Sequence, residues 1–131
     1  MSKLKIGIDI DNTIDASKTS VNFFSLFTNA IRHVAQIYII TNRDPGEDSR
    51  ADTMSELDMF GIYYDELIIT AEKSQHILQL GVDVYFDDTD EYFLDLPESV
   101  AVFKIREFGN FDFKEHKWLY GDKTGINIDK K

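Results

Sequence analysis

Cysteine is absent from the 131-residue chain, which excludes disulfides, thiol catalysis and Cys-ligated zinc and says little about compartment. No apolar run reaches membrane-spanning length, and the opening MSKLKIGIDIDNT is broken by acids before a signal-peptide core can form. A soluble, cytoplasmic protein is the expectation. Basic residues are scarce: 14 Lys and Arg stand against 24 Asp and Glu, a formal net charge of -10. That balance disfavours nonspecific nucleic-acid binding and anionic membranes, both of which need clustered cations. It leaves small anionic ligands open, because salt screens surface charge over roughly 8 Å and such a ligand responds to its own pocket. Repeats of solenoid length and low-complexity tracts are also missing.

What is present is ordinary globular material, 43% hydrophobic and 29% charged, enough for one domain over 1–131 with a core and a frayed tail from about 121. Periodicity predicts strands at 4–10, 36–41 (QIYIIT), 67–70 (LIIT), 82–86 (VDVYF) and 100–105 (VAVFKI). Between them, apolar residues at three- and four-residue steps predict a helix over 20–34. A second helix runs to Phe60, capped by Asp48 or Ser49 and stopped by Gly61. A third covers 72–80, closed by Gly81, and a short one covers 91–94. Alternating strands and helices argue for a three-layer, doubly wound, Rossmann-like parallel sheet. Segment 111–120, FDFKEHKWLY, fits neither period: a terminal helix and an extended cover on the sheet are both open. Its aromatics, Phe111, Phe113, Trp118 and Tyr120, are read as core cover in preference to a base-stacking platform.

Chemistry-bearing residues cluster at the strand ends. The first strand ends in Asp9, Asp11 and Thr13; the second in Thr41, Asn42 and Arg43; the third leads through Thr70 to Lys73; the fourth ends in Asp87 and Asp88. In open parallel sheets the ligand crevice lies beyond these carboxyl ends. Each feature has a bland reading: DxD as a turn device, Asp87 and Asp88 as a helix cap, Lys73 as a solvated helix residue. Their joint occurrence at one rim favours a site for a hard cation and a phosphate, since oxygen ligands suit Mg²⁺. A carboxylate there could accept a phosphoryl group, and a second acid could move the proton. Thr13 is read as shaping the turn. Arg43 has two open readings, a clamp on a substrate phosphate and a loop ion pair with Asp44, Glu47 or Asp48. His33, His76 and His116 lack ligand spacing and are read as surface or packing residues.

In this order the motifs resemble those of the haloacid dehalogenase-like superfamily: IGIDIDNTI its strand followed by DxDxT, IYIITNR its strand ending in Thr, AEKSQH its lysine, and VYFDDTD its acidic pair. The resemblance spans about 4–90. It implies a Mg²⁺-dependent phosphomonoester hydrolase with Asp9 as nucleophile and metal ligand. Asp11 would be general acid/base and a backbone ligand, Thr41 and Lys73 would contact the phosphoryl group, and Asp87 and Asp88 would hold the metal. It also implies sheet order 5-4-1-2-3. The short gaps after the first and second strands leave room for only a minimal cap or none, and an open site. Short relatives resembling 5'-nucleotidases share a TNR-like second motif, which makes Asn42 and Arg43 substrate-binding candidates. The expected partner is a small phosphorylated substrate, with an oligomer also allowed. Two other classes are weighed. A receiver-type phospho-acceptor would need its acceptor Asp on the third strand, and LIIT offers none. A catalytically weak metal- and phosphate-binding protein acting through a partner is the main alternative.

Overall fold

The two most apolar runs lie side by side. Residues buried on both sides of a strand must be covered on both faces, and only a central position in a sheet provides that. In the computed structural model, which describes residues 3–119, β1 (Leu4–Ile8) pairs in parallel with β2 (Ala35–Thr41), with Gly7 opposite Tyr38 and Ile8 opposite Ile39. On the other side β1 pairs with β4 (Val84–Asp87). The edges are β3 (Glu66–Ile69) beside β2 and β5 (Ala101–Lys104) beside β4, all parallel. The order is β3-β2-β1-β4-β5, which is 5-4-1-2-3 read from the opposite edge.

Helices α1 (Lys18–Ile31) and α2 (Glu47–Met59) cover one face, where Phe24 and Leu57 pack with Ile8, Ile39 and Phe86. Helix α3 (Lys73–Leu80) covers the other, with Ile77 against Tyr38, Ile40 and Tyr85. The result is three layers. Only α1 and a tight turn separate β1 from β2, and only α2 lies between β2 and β3, so neither connection carries a cap domain. No helix among the described residues is long and apolar enough to cross a membrane.

Several boundaries differ from the sequence reading for local reasons. The first strand stops at Ile8, because the chain turns into a wide helical turn, Ile10–Ile14, with Asn12 left-handed at φ 60°. Asp9 still donates its N–H to the Phe86 carbonyl at 3.0 Å, so the turn stays fastened to β4. Helix α2 starts after Gly46 with no side-chain cap from Asp48 or Ser49. Asp44 instead accepts the Gly46 N–H at 2.8 Å, the self-bonded turn that Asp favours before Pro-Gly. The aromatic segment is neither helix nor simple cover. It forms a short hairpin, β6 (Phe111–Asp112) with β7 (Lys117–Trp118), while Tyr120 and the tail from 121 lie outside the described residues.

Gly61 and Gly81 end α2 and α3 in left-handed conformation, at φ 73° and 72°. An added Cβ on Gly61 would also sit 2.9 Å from Ser25 Oγ, which donates to the Gly61 carbonyl. Gly61→Ala is therefore expected to lower the unfolding free energy by about 1–2 kcal/mol, read as a shift of the urea midpoint at constant slope.

Candidate functional site

Parallel pairing brings the ends of β1, β2 and β4 to one edge of the sheet. Strand β1 delivers Asp9, strand β4 delivers Asp87 and Asp88, and the start of α3 sends Lys73 between them. Lys73 Nζ donates to Asp9 Oδ1 at 2.7 Å and to Asp87 Oδ2 at 2.9 Å, and all three side chains are almost fully buried. Carboxylate oxygens of Asp9, Asp87 and Asp88 lie within 4.8 Å of one another.

The remaining polar atoms of this cluster are held by neighbours. Thr13 Oγ1 donates to Asp9 Oδ2 at 2.9 Å and lies 3.4 Å from Asp88 Oδ1. Tyr85, two residues before Asp87 and hence on the same side of the strand, donates its hydroxyl to Asp87 Oδ2. Asp87 Oδ1 accepts the backbone N–H groups of Asp88 and Thr89 at 2.7 and 3.1 Å. Asn110 donates to the carbonyls of Asp88 at 3.0 Å and Ile105 at 2.7 Å, tying the segment after β5 to the end of β4. Tyr92 lays its ring 4.2 Å from Lys73 Nζ, a cation–π contact, and its hydroxyl accepts from Asn42 at 3.3 Å.

Charge is poorly matched in this cluster. Three buried carboxylates surround one ammonium, a formal excess of two negative charges. Burial pushes the Asp9 carboxyl up to about 7, with Lys73 opposing the shift and Asp87 adding to it. Burial, then a hydrogen bond with Glu107, then Asp87, push Asp88 up to about 9. Burial alone would lower Lys73, but Asp9 and Asp87 outweigh it and hold the ammonium above the ordinary lysine value. Without a further cation, protons make up the deficit. Thr41, at the end of β2, has a fully buried hydroxyl with no hydrogen-bond partner, an uncommon state for a buried polar group.

A cavity of about 200 Å³ opens at this edge, lined by Asp9, Asp11, Asn12, Asn42, Lys73, Asp88, Thr89 and Tyr92. Asp11 stands apart from the buried cluster. Its half-exposed carboxylate receives Arg43 Nη2 at 2.7 Å and Nε at 3.0 Å, and Nη2 also reaches Glu56 at 2.8 Å. The loop ion pair expected of Arg43 is not formed, its partners being Asp11 and Glu56 rather than a loop acid next in sequence. The hydrogen bonds that Arg43 donates to Asp11 raise the pKa of the guanidinium further, against some cost of burial.

Sequence reasoning passed over Tyr85, Tyr92 and Asn110, and it assigned Thr13 to the backbone alone. Tyr85 carried a signal, since residues i and i+2 of a strand share a face. Tyr92 and Asn110 carried none, because loop packing brings them in.

No family model matches the chain, and no curated protein matches it. Among solved structures the chain is similar to a universal stress protein in complex with cAMP, at 9% identity and a TM-score of 0.46, over 81% of this chain and 98% of that one. So remote a likeness transfers neither ligand nor function. The expectation of haloacid dehalogenase-like membership is corrected: no family model and no curated protein shows it, and the similar solved structure is a universal stress protein. With it the enzyme assignment, the hydrolase, phosphatase and nucleotidase-like readings, and the aspartyl-phosphate on Asp9 are withdrawn. The physical reason is general: any doubly wound sheet gathers polar side chains beyond its carboxyl ends, and that gathering does not fix a chemistry.

Proposed function

We propose that the carboxyl edge of the sheet binds a divalent cation, Mg²⁺ by its all-oxygen donor set, together with the phosphate group of a small ligand. The observation that carries this reading is the buried triad Asp9, Asp87 and Asp88 around the single ammonium of Lys73. Buried charges persist when paired or when they coordinate a metal, and a divalent ion supplies the two positive charges that Lys73 leaves wanting. Hard cations of this kind take one or two carboxylates plus ligand oxygens and water. Asp9, Asp87 and Asp88 would hold the ion, and when bound it would neutralise the cluster and attract a phosphate oxygen. The unpartnered Thr41 hydroxyl offers a donor at the same strand edge, and Lys73 offers a second. The pairing of Asp11 with Arg43 leaves Asp11 outside this ligand set.

The test is thermal unfolding with Mg²⁺ against EDTA. A ligand that binds only the folded state, present at a hundred times its dissociation constant, adds about 2.7 kcal/mol. Wild type is expected to gain on that order with Mg²⁺, and Asp87→Asn to gain nothing. Equal midpoints in Mg²⁺ and EDTA for wild type would remove the cation from the reading. Phosphate release from a generic ester is a separate measurement, on which the binding reading does not depend.

A further inference from the structure

Resting on that reading, we propose that the ligand carries one phosphate group and an uncharged or cationic remainder, and that the rim rejects polyphosphates and carboxylated phosphate esters. Volume is the first argument. Some 200 Å³ equals the liquid volume of about seven waters, which accommodates one phosphate and a partly hydrated cation. Any further part of the ligand lies outside, against the rim.

Charge is the second argument. Asp11, on the cavity wall, belongs to a charged group behind it in which the guanidinium of Arg43 faces Asp11, Glu56 and Asp15, a formal excess of two negative charges. Arg43 is already engaged by Asp11 and Glu56. The other cations on these strand ends are engaged too: Lys73 by Asp9 and Asp87, Lys104 by Asp90 at 2.6 Å, and Arg106 against the rings of Phe111 and Phe113. The rest of the mouth is neutral, Asn12, Asn42, Thr89 and Tyr92. A second phosphate or a carboxylate on the remainder would therefore face acids, with the cations of these strand ends, among the described residues, already engaged. The Arg43–Asp11 pair is the element that sets this selectivity, because it cancels the guanidinium that would otherwise accept a second anion.

Equilibrium binding at fixed, saturating free Mg²⁺ tests it, with inorganic phosphate as the first probe. Glycerol 2-phosphate, phosphocholine, 3-phosphoglycerate and 2,3-bisphosphoglycerate then compete against it. One unscreened like-charge contact near 6 Å at intermediate dielectric amounts to about tenfold in affinity. The first two esters are expected to bind at least about tenfold tighter than the last two, with the gap shrinking as salt is added. Asp11→Asn, which removes one of the two carboxylates paired with Arg43 and leaves Glu56, is expected to narrow the gap chiefly by strengthening 2,3-bisphosphoglycerate. Equal binding of the four esters to wild type, or a gap unaltered by both salt and Asp11→Asn, would overturn the proposal. Failure of inorganic phosphate itself to bind with Mg²⁺ would overturn the parent reading, and is seen before any ester is compared.

Discussion

Replacing Lys73 by methionine is expected to lower the unfolding free energy by about 3–5 kcal/mol in metal-free buffer at neutral pH, the usual result of stripping one partner from a buried ion pair. The side chain keeps most of its length and loses its charge. Asp9 and Asp87 then remain buried without the ammonium that now bonds both, at 2.7 and 2.9 Å. The loss should shrink at pH 5, where Asp9, already pushed up to about 7, is protonated and needs no partner. Adding Asp9→Asn to the methionine variant should recover part of it, since a neutral amide tolerates burial better than an unpaired carboxylate. Urea unfolding of wild type, both single variants and the double variant isolates the coupling. A cost under 1 kcal/mol for Lys73→Met would mean that the ammonium does not hold the acids in place.

The second large effect is a pH dependence whose sign reverses the common one. Most native carboxylates are stabilised in their charged form, so acid destabilises the fold. Here Asp9 and Asp88 are raised from 3.8 to about 7 and about 9. Between those values the folded chain holds protons that the unfolded chain has released, so stability falls as pH rises. The window runs from about pH 4 to 7 for Asp9 and onward to 9 for Asp88. In EDTA the melting temperature is expected to drop between pH 5 and 9 by at least about 5 °C. A cation binds the deprotonated carboxylates, so saturating Mg²⁺ should flatten or invert that slope. Scans at several pH values, with and without the ion, check both halves.

How far the sequence foretold this arrangement depends on which residues are asked about. Chain-local signals carried a long way: alternation and apolar runs placed the five strands, and the rule that parallel strands end at one edge brought Asp9, Lys73, Asp87 and Asp88 together before any coordinate. The same signals overran at Asp9, where the chain leaves the strand for a turn that depends on Asn12 tolerating φ 60°. They also failed for side chains whose partners are distant in sequence. Arg43 pairs with Asp11 across 32 residues and with Glu56 one face of α2 away, while its nearest acidic neighbours in the loop were the obvious candidates. Tyr92 reaches Lys73 only because a short turn after β4 folds back over the edge. Family and activity were the least legible of all. They rested on four short motifs at strand ends, where any doubly wound sheet gathers polar residues, and no family model or curated protein shows that family.

The measurement that bears most directly on a cation held by Asp9, Asp87 and Asp88 is a calorimetric Mg²⁺ titration at pH 7, repeated in buffers of different ionisation enthalpy to count protons released. With Asp9 raised to about 7 and Asp88 to about 9, binding that deprotonates both should expel roughly one to two protons per ion, and Asp87→Asn should abolish the heat. Saturable binding with that release is the predicted result. No binding, or binding without proton release that survives Asp87→Asn, would contradict it.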